Sequence, residues 1–196
     1  MLLPHPLGRT GHMDGQAGNA PWYRAARVHI QAYDPSWPVR YAEEAELLTR
    51  TLRGAVVAVE HIGSTSVPGL AAKPVIDILA AVRDFDDFPT VADLLRGIGY
   101  TYTPESEADD ASRRVFRKGP DDRTALRTHH LHVTEHRSHY WRRLVAFRDH
   151  LRAHPAEAAA YLRLKRDLAD RHAADPGRYT RDKRDFVREV ERKAGV

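Results

Sequence analysis

The chain has 196 residues and no cysteine, so disulfides and thiolate metal sites are excluded, and one buried core with a small helical appendage is the natural expectation. No apolar run approaches a membrane span and the N-terminus lacks a continuous signal-peptide core, which points to a soluble, cytoplasmic protein with no membrane partner. The formal net charge of +4 sets 31 basic residues against 27 acidic ones, mostly interleaved, as on a solvated face rather than in a nucleic-acid groove.

Residues 1–20 are rich in Gly, Pro, His and Asn without periodicity and read as a disordered tail. Val28–Ala32 reads as a short edge strand before the turn Tyr33-Asp34-Pro35. Ser36 can then cap a helix carrying Tyr41, Ala45, Leu48 and Leu52 at helical spacing and ending near Gly54. Ala55–Ile62 and Pro74–Val82 read as buried strands, Pro89–Gly97 as a helix, and Tyr100–Thr103, Arg113–Arg117 and Thr128–Thr134 as further strands, the last two joined by KGPDDR. Behind them, Tyr140 to Leu151, Tyr161 to Leu168 and Phe186 to Val190 form three helical stripes divided by Pro155 and the turn Asp175-Pro176-Gly177. The expected architecture is α+β: a mixed β-sheet flanked by helices over 21–136, and a C-terminal helical subdomain over 137–196 packed on it.

The segment EHIGSTSVPGLAAKPVIDIL, residues 60–79, carries the chemistry. A small-residue turn separates two apolar runs, and the second run contains a single acid, Asp77. A carboxylate among Val75, Ile76, Ile78 and Leu79 is costly to desolvate unless it meets a cation or donors, so Asp77 is expected near a strand end or a cleft. Five residues separate Gly63 from Gly69 and Leu70 follows, which excludes a Walker A loop; Ser64 and Ser66 do not fit a nucleophile elbow. Gly63 allows close backbone approach to a phosphate, the Ser64 hydroxyl and neighbouring amides can donate to its oxygens, and Asp77 offers a hard oxygen ligand for magnesium. Lys73 can neutralise phosphate as a point charge. The bland readings are a strand end at Gly63, a turn cap at Ser64 and a solvated Lys73.

HIGSTSVPGLAAKPVIDI, preceded by YDPSWPVRYAEEAELL and followed by HHLHV, FRDHLRAHP and YTRDKRDFV, resembles the GrpB-like family, whose members are assigned a nucleotidyltransferase-type fold. The blocks run in order from about Val28 to Ala194. The resemblance implies a nucleotide or other phosphorylated small molecule held at Gly63, Ser64 and Thr65, with a divalent metal, magnesium first and manganese or zinc as alternatives, on Asp77. Nucleotidyltransferases place a second carboxylate two residues after the first. Here that position is Leu79, on Asp77's face of the strand, and it cannot coordinate magnesium.

In THHLHVTEH, residues 128–136, strand alternation puts His130 and His132 on one face and Leu131 and Val133 on the other. The histidine pair suits a metal, a general base or a phosphate donor, or simply a polar sheet face. The resemblance places His132 where those enzymes present a third acid, so the candidate catalytic residues are Asp77 and His132 and the candidate metal ligands Asp77, His130 and His132. His61 could lean into the same cleft or serve as a hydrogen-bonded core histidine. Arg117 could face a phosphate or pair with Asp121 or Asp122. Lys165, Tyr179 and Lys183 lie in blocks like the family's, in helices that would close over the nucleotide; plain amphipathicity is the alternative. The expected function is nucleotide binding with nucleotidyl transfer to a small acceptor. Its rivals are a catalytically silent nucleotide-binding or regulatory domain, an RNA-associated basic protein, and a hydrolase using the histidine pair and Asp77.

Overall fold

The computed structural model describes residues 27–85, 88–107, 110–119 and 127–196. The expected N-terminal tail and most of the KGPDDR turn lie outside the described residues. Helix α1 spans Trp37–Thr51, strand β1 Val56–Ile62, β2 Ile76–Val82, helix α2 Phe88–Gly97, β3 Tyr100–Tyr102, β4 Arg113–Lys118 and β5 His129–Glu135. Helices α3 (His139–Ala153), α4 (Pro155–Arg171), α5 (Pro176–Arg181) and α6 (Arg184–Lys193) follow. The strands form one mixed sheet in the order β1-β2-β5-β4-β3, with β2 and β5 parallel and the other pairs antiparallel.

β2 lies inside the sheet and is covered on both faces, which is why its sequence is a continuous apolar run rather than an alternation. One face packs Ile76, Ile78, Ala80 and Val82, with Leu131, Val133 and Phe116, against Leu48 and Leu52 of α1 and Val91 and Leu95 of α2. The other face sets Leu79 and Ala81 against Tyr140 and Trp141 of α3. The alanines of β2 let both helical layers approach closely, and the two faces together are a mixed α+β architecture of a five-stranded sheet between helices.

The long connection from β1 to β2 belongs to the helical layer as much as to the sheet. Val67 and Leu70 pack with Phe147, Leu151, Tyr161 and Val190. Arg152 donates to the Ser66 carbonyl through Nε and Nη2 at 3.1 and 2.9 Å, and Lys165 donates to the Ala71 carbonyl. Buried Arg148 ties α3 to β1, donating to Glu60 at 2.6 Å and to the His61 carbonyl at 3.0 Å. A turn fixed this way from behind has little freedom to drift relative to Asp77 on the next strand.

Two sequence expectations are corrected. Residues 28–32 form no strand: Gln31 alone bridges Ala72, and the Val28 amide turns away to donate to the Ala173 carbonyl. The turn at Asp175 opens a fourth C-terminal helix, α5, because the Asp175 side chain accepts from the Arg178 amide at 2.9 Å and Pro176 suits a first helical position. Among the described residues no helix is long and apolar enough to cross a membrane.

Candidate functional site

β2 presents Asp77 at its N-terminal end, opposite Ile62 of β1 and His130 of β5. Arg117 of β4 lies opposite His130, so acid, imidazole and guanidinium follow one another across the sheet in register. Gly63, at φ +68°, closes β1 directly over this row. A Cβ built on Gly63 would lie 2.9 Å from the Asp77 Cβ and closer still to a carboxylate oxygen, so both the backbone conformation and the space require glycine. The turn Ser64–Ser66 follows, pinned by the Ser66 hydroxyl donating to the Gly63 carbonyl at 2.6 Å.

The Asp77 carboxylate meets His130 Nδ1 at 3.2 Å. Burial alone would push its acidity down, but the His130 hydrogen bond, together with the electrostatic pull of the neighbouring His130 and His132 rings and of Lys73, holds its carboxyl below the ordinary range. His130 is itself shifted down, by burial first and by Arg117 and Lys73, against the pull of Asp77. Its Nδ1–H is therefore the donor, and Nε2 is left as a buried nitrogen with no hydrogen-bond partner. His132 contacts the Tyr140 hydroxyl through Nδ1 at 2.8 Å, and the same hydroxyl accepts from Arg113 at 2.9 Å. Arg113 can only donate, which leaves the Tyr140 proton available to Nδ1; in that tautomer neutral His132 carries its own proton on Nε2. Burial, then Arg113, His130 and Arg117, push His132 down to about 3 despite Asp77.

Three lysines close the site from the helical side. Lys73 Nζ stands 5.1 Å and Lys183 Nζ 4.3 Å from the Tyr179 ring centre, while Lys165 Nζ stands 5.0 Å from that of Tyr161. Lys165 is 2 % exposed. Burial lowers all three, Lys165 and Lys183 to about 7; Asp77 acts in the opposite direction on each, Lys73 depresses the other two, and Arg127 and Arg117 depress Lys73. Tyr161 also shares a hydrogen bond with the Ser64 side chain, and burial followed by Asp77 pushes the phenols of Tyr161 and Tyr179 up.

The remaining sequence candidates separate. His61 lies opposite Ile78, on the α1 face of the sheet, where its ring stacks on Tyr41 at 4.6 Å and its Nε2 meets Thr65 Oγ1 at 3.0 Å. Of the two readings of His61 the structure shows the hydrogen-bonded core histidine: the His61 and Thr65 side chains are buried and spent on each other, and they brace the turn from behind. Arg117 donates to the Ser106 hydroxyl at 3.0 Å and flanks His130; Asp121 and Asp122 lie outside the described residues. Gly63, Ser64, Asp77, His130, His132, Lys73, Lys165 and Lys183 do come together. Tyr140, Arg113 and Tyr161 were missed as polar participants, because a tyrosine on an apolar helical stripe reads as core and no spacing links Arg113 to it.

The donor set does not converge on a metal in the expected way. Asp77 and His130 are turned on each other, His132 Nδ1 is taken by Tyr140, and Leu79 occupies the second acid's position, buried against Tyr140 and Trp141. Among the described residues no three His, Asp or Glu side chains are grouped to hold an ion.

A family model described as GrpB protein matches residues 27–193. The UPF0157 protein YqkA of Bacillus subtilis is 37 % identical over 172 residues, 88 % of this chain and 48 % of that protein, so the chain spans about half the length of this relative. The crystal structure of conserved protein GrpB from Enterococcus faecalis superposes with a TM-score of 0.75 at 38 % identity, covering 85 % of this chain and 96 % of that one. A protein of Mycobacterium tuberculosis named dephospho-CoA kinase is 32 % identical over 165 residues, 74 % of this chain but 40 % of that protein.

Gly63→Ala is expected to destabilise the protein by ~1–3 kcal/mol in denaturant unfolding. Gly69→Ala, at φ +77° in open space, carries the backbone strain without the collision and should cost less; equal losses would remove the contact with Asp77 as the reason for glycine. A pH expectation follows from the buried imidazoles. Burial holds His61 at about 4 and His132 at about 3, against 6.5 when free. Below pH 6.5 the unfolded chain binds protons that the fold refuses, so stability is full above that pH and falls as pH drops. Melting temperature should decline from pH 7 to 4.5, less steeply in His132→Gln; parallel profiles would contradict the assignment.

Proposed function

The chain belongs to the GrpB family, and from that premise we propose that the cleft beside β2 binds a nucleotide or another phosphorylated small molecule. The observation that carries this reading is the gathering of Lys73 and Lys183 over the Tyr179 ring and of Lys165 over the Tyr161 ring, all three within the electrostatic reach of a single carboxylate, Asp77. Three ammonium groups against one acid leave a local excess of positive charge, held in place by tyrosine rings and a backbone carbonyl rather than dispersed in solvent. Such an arrangement suits more than one phosphoryl group. Gly63 brings the backbone against the same space, and the Ser64 side chain stands at its rim.

Turnover is the finer part of the proposal. Asp77 fixes the His130 ring through Nδ1 and leaves Nε2 able to accept a proton from an acceptor hydroxyl, while His132 presents Nε2–H as a donor. A base, a donor and a cationic cradle are the parts a group transfer to a hydroxyl needs. The silent-binding alternative is favoured by Leu79 in place of a second acid. The name of the mycobacterial relative puts a segment like this one beside nucleotide chemistry, which supports the choice of adenine nucleotides and coenzyme A derivatives as probes.

Calorimetry with inorganic triphosphate, ATP, ADP, coenzyme A and dephospho-coenzyme A should find saturable binding to the wild type, weakened at least tenfold in Lys183→Met. The ammonium forms bind the anion, so affinity should fall as pH rises from 7 to 9 through the free-lysine values near 7. Binding unchanged in the variant, or no binding of any phosphorylated probe, would overturn the reading.

A further inference from the structure

We propose that this site holds a polyphosphate chain without a divalent metal ion, with Lys73, Lys165 and Lys183 taking the counter-ion role that magnesium fills in metal-dependent phosphoryl transfer. The inference rests on the phosphorylated-ligand reading above and adds how the charge is neutralised.

In a magnesium-bridged site the ion is held by one or two carboxylates and by phosphate oxygens. That role needs a carboxylate free to face the phosphate. Asp77 faces His130 instead, with Oδ1 at 3.2 Å from Nδ1, and its opposite side is pressed against Gly63. Leu79, where a second carboxylate would share the ion, is fully buried and packs against aromatic side chains. His132 has Nδ1 bound to Tyr140, and a neutral imidazole nitrogen such as the unpartnered His130 Nε2 is a poor match for magnesium, which takes oxygen ligands. A cation placed among these groups would also sit within the field of three lysines and of Arg117, which repel it.

The same field is what a bare polyphosphate requires. Lys165 is anchored from the Ala71 carbonyl and buried, so one ammonium is fixed at the floor of the site. Lys73 and Lys183 stand over the two-sided contact with Tyr179 and remain half-buried, which leaves their other N–H donors for ligand oxygens. Burial is tolerable for three like charges because Asp77 offsets part of it before the ligand arrives, and the ligand offsets the remainder. Asp77 is then a neutralising and orienting acid, not a metal ligand: it keeps the lysines folded in place and sets the His130 ring.

This assignment alters the expected effect of removing the acid. Without a bridging metal, removing Asp77 lifts a repulsion on the phosphate chain and also lowers the charge of the lysines, two effects that oppose each other, so binding persists; with one, its removal abolishes binding.

Inorganic triphosphate is titrated into the wild type and into Asp77→Asn, each in excess chelator and in excess magnesium. Expected are wild-type binding in chelator that magnesium leaves equal or weaker, since the metal complex carries less negative charge, and Asp77→Asn binding in chelator that is retained within several-fold of wild type. Binding that appears only with magnesium, or that Asp77→Asn loses in a sample whose circular dichroism matches the wild type, would overturn the metal-free assignment while leaving the phosphate reading intact. Absence of binding in both buffers would remove the phosphate reading itself. If Asp77→Asn does not fold, the chelator and magnesium comparison on the wild type alone decides.

Discussion

A carboxylate at the end of a strand that is covered on both faces must be compensated, and at Asp77 the compensation exceeds the charge. His130 supplies a hydrogen bond at 3.2 Å, and three lysines stand close enough for Asp77 to act on each of them. Without the acid the lysines would keep only a carbonyl and tyrosine rings as partners, with no opposite charge among them; without the lysines the acid would lie in a largely apolar layer. Neither half is stable alone in this position, which makes the pair a structural unit and a charged one. In the reading proposed above, the imbalance between them is what draws a phosphorylated ligand into the cleft.

The rest of the fold serves to hold that imbalance still. β2 carries the acid, β5 the imidazoles, and their parallel pairing in register sets Asp77 against His130 and Leu79 against His132. The lysines come from elsewhere: one from the β1–β2 connection, one from α4 and one from the N-terminal cap of α6. These segments are joined by Lys165 on the Ala71 carbonyl, Arg152 on the Ser66 carbonyl and the apolar cluster of Val67 and Leu70 with Phe147, Leu151 and Tyr161. The helical layer is therefore not an appendage to the site but one of its walls. His61 and Thr65, on the other side of the sheet, do the corresponding work for the turn.

Local patterns in the sequence resolve the strands well and the cleft unevenly. The apolar run Ile76–Val82 and the alternation of His130, Leu131, His132 and Val133 identify β2, β5 and their faces, because both signals are properties of a single strand. Gly63 was legible as a strand end, but the reason only glycine fits is the side chain of Asp77 on the neighbouring strand. His61 could not be placed, since which face it occupies depends on the β1–β2 register. Tyr140, bonded to both His132 and Arg113, sits on an apolar helical stripe where its hydroxyl gives no sign. Lys73 is legible beside Asp77 as a charge for phosphate, whereas Lys165 and Lys183 are readable only through the family resemblance: Lys73 and Lys183 meet over Tyr179 although they lie 110 positions apart in the chain.

Buried Lys165 and half-buried Lys183 carry only part of their charge near pH 7, and a polyanion seated among the lysines should raise it. Carbon-detected NMR of the lysine side chains, titrated with pH in the free protein and with inorganic triphosphate, measures this directly. The account predicts that Lys165 and Lys183 titrate near 7 in the free protein, well below the ordinary 10.5, and that triphosphate moves both upward. Titration of both near 10.5, unchanged by triphosphate, would contradict it.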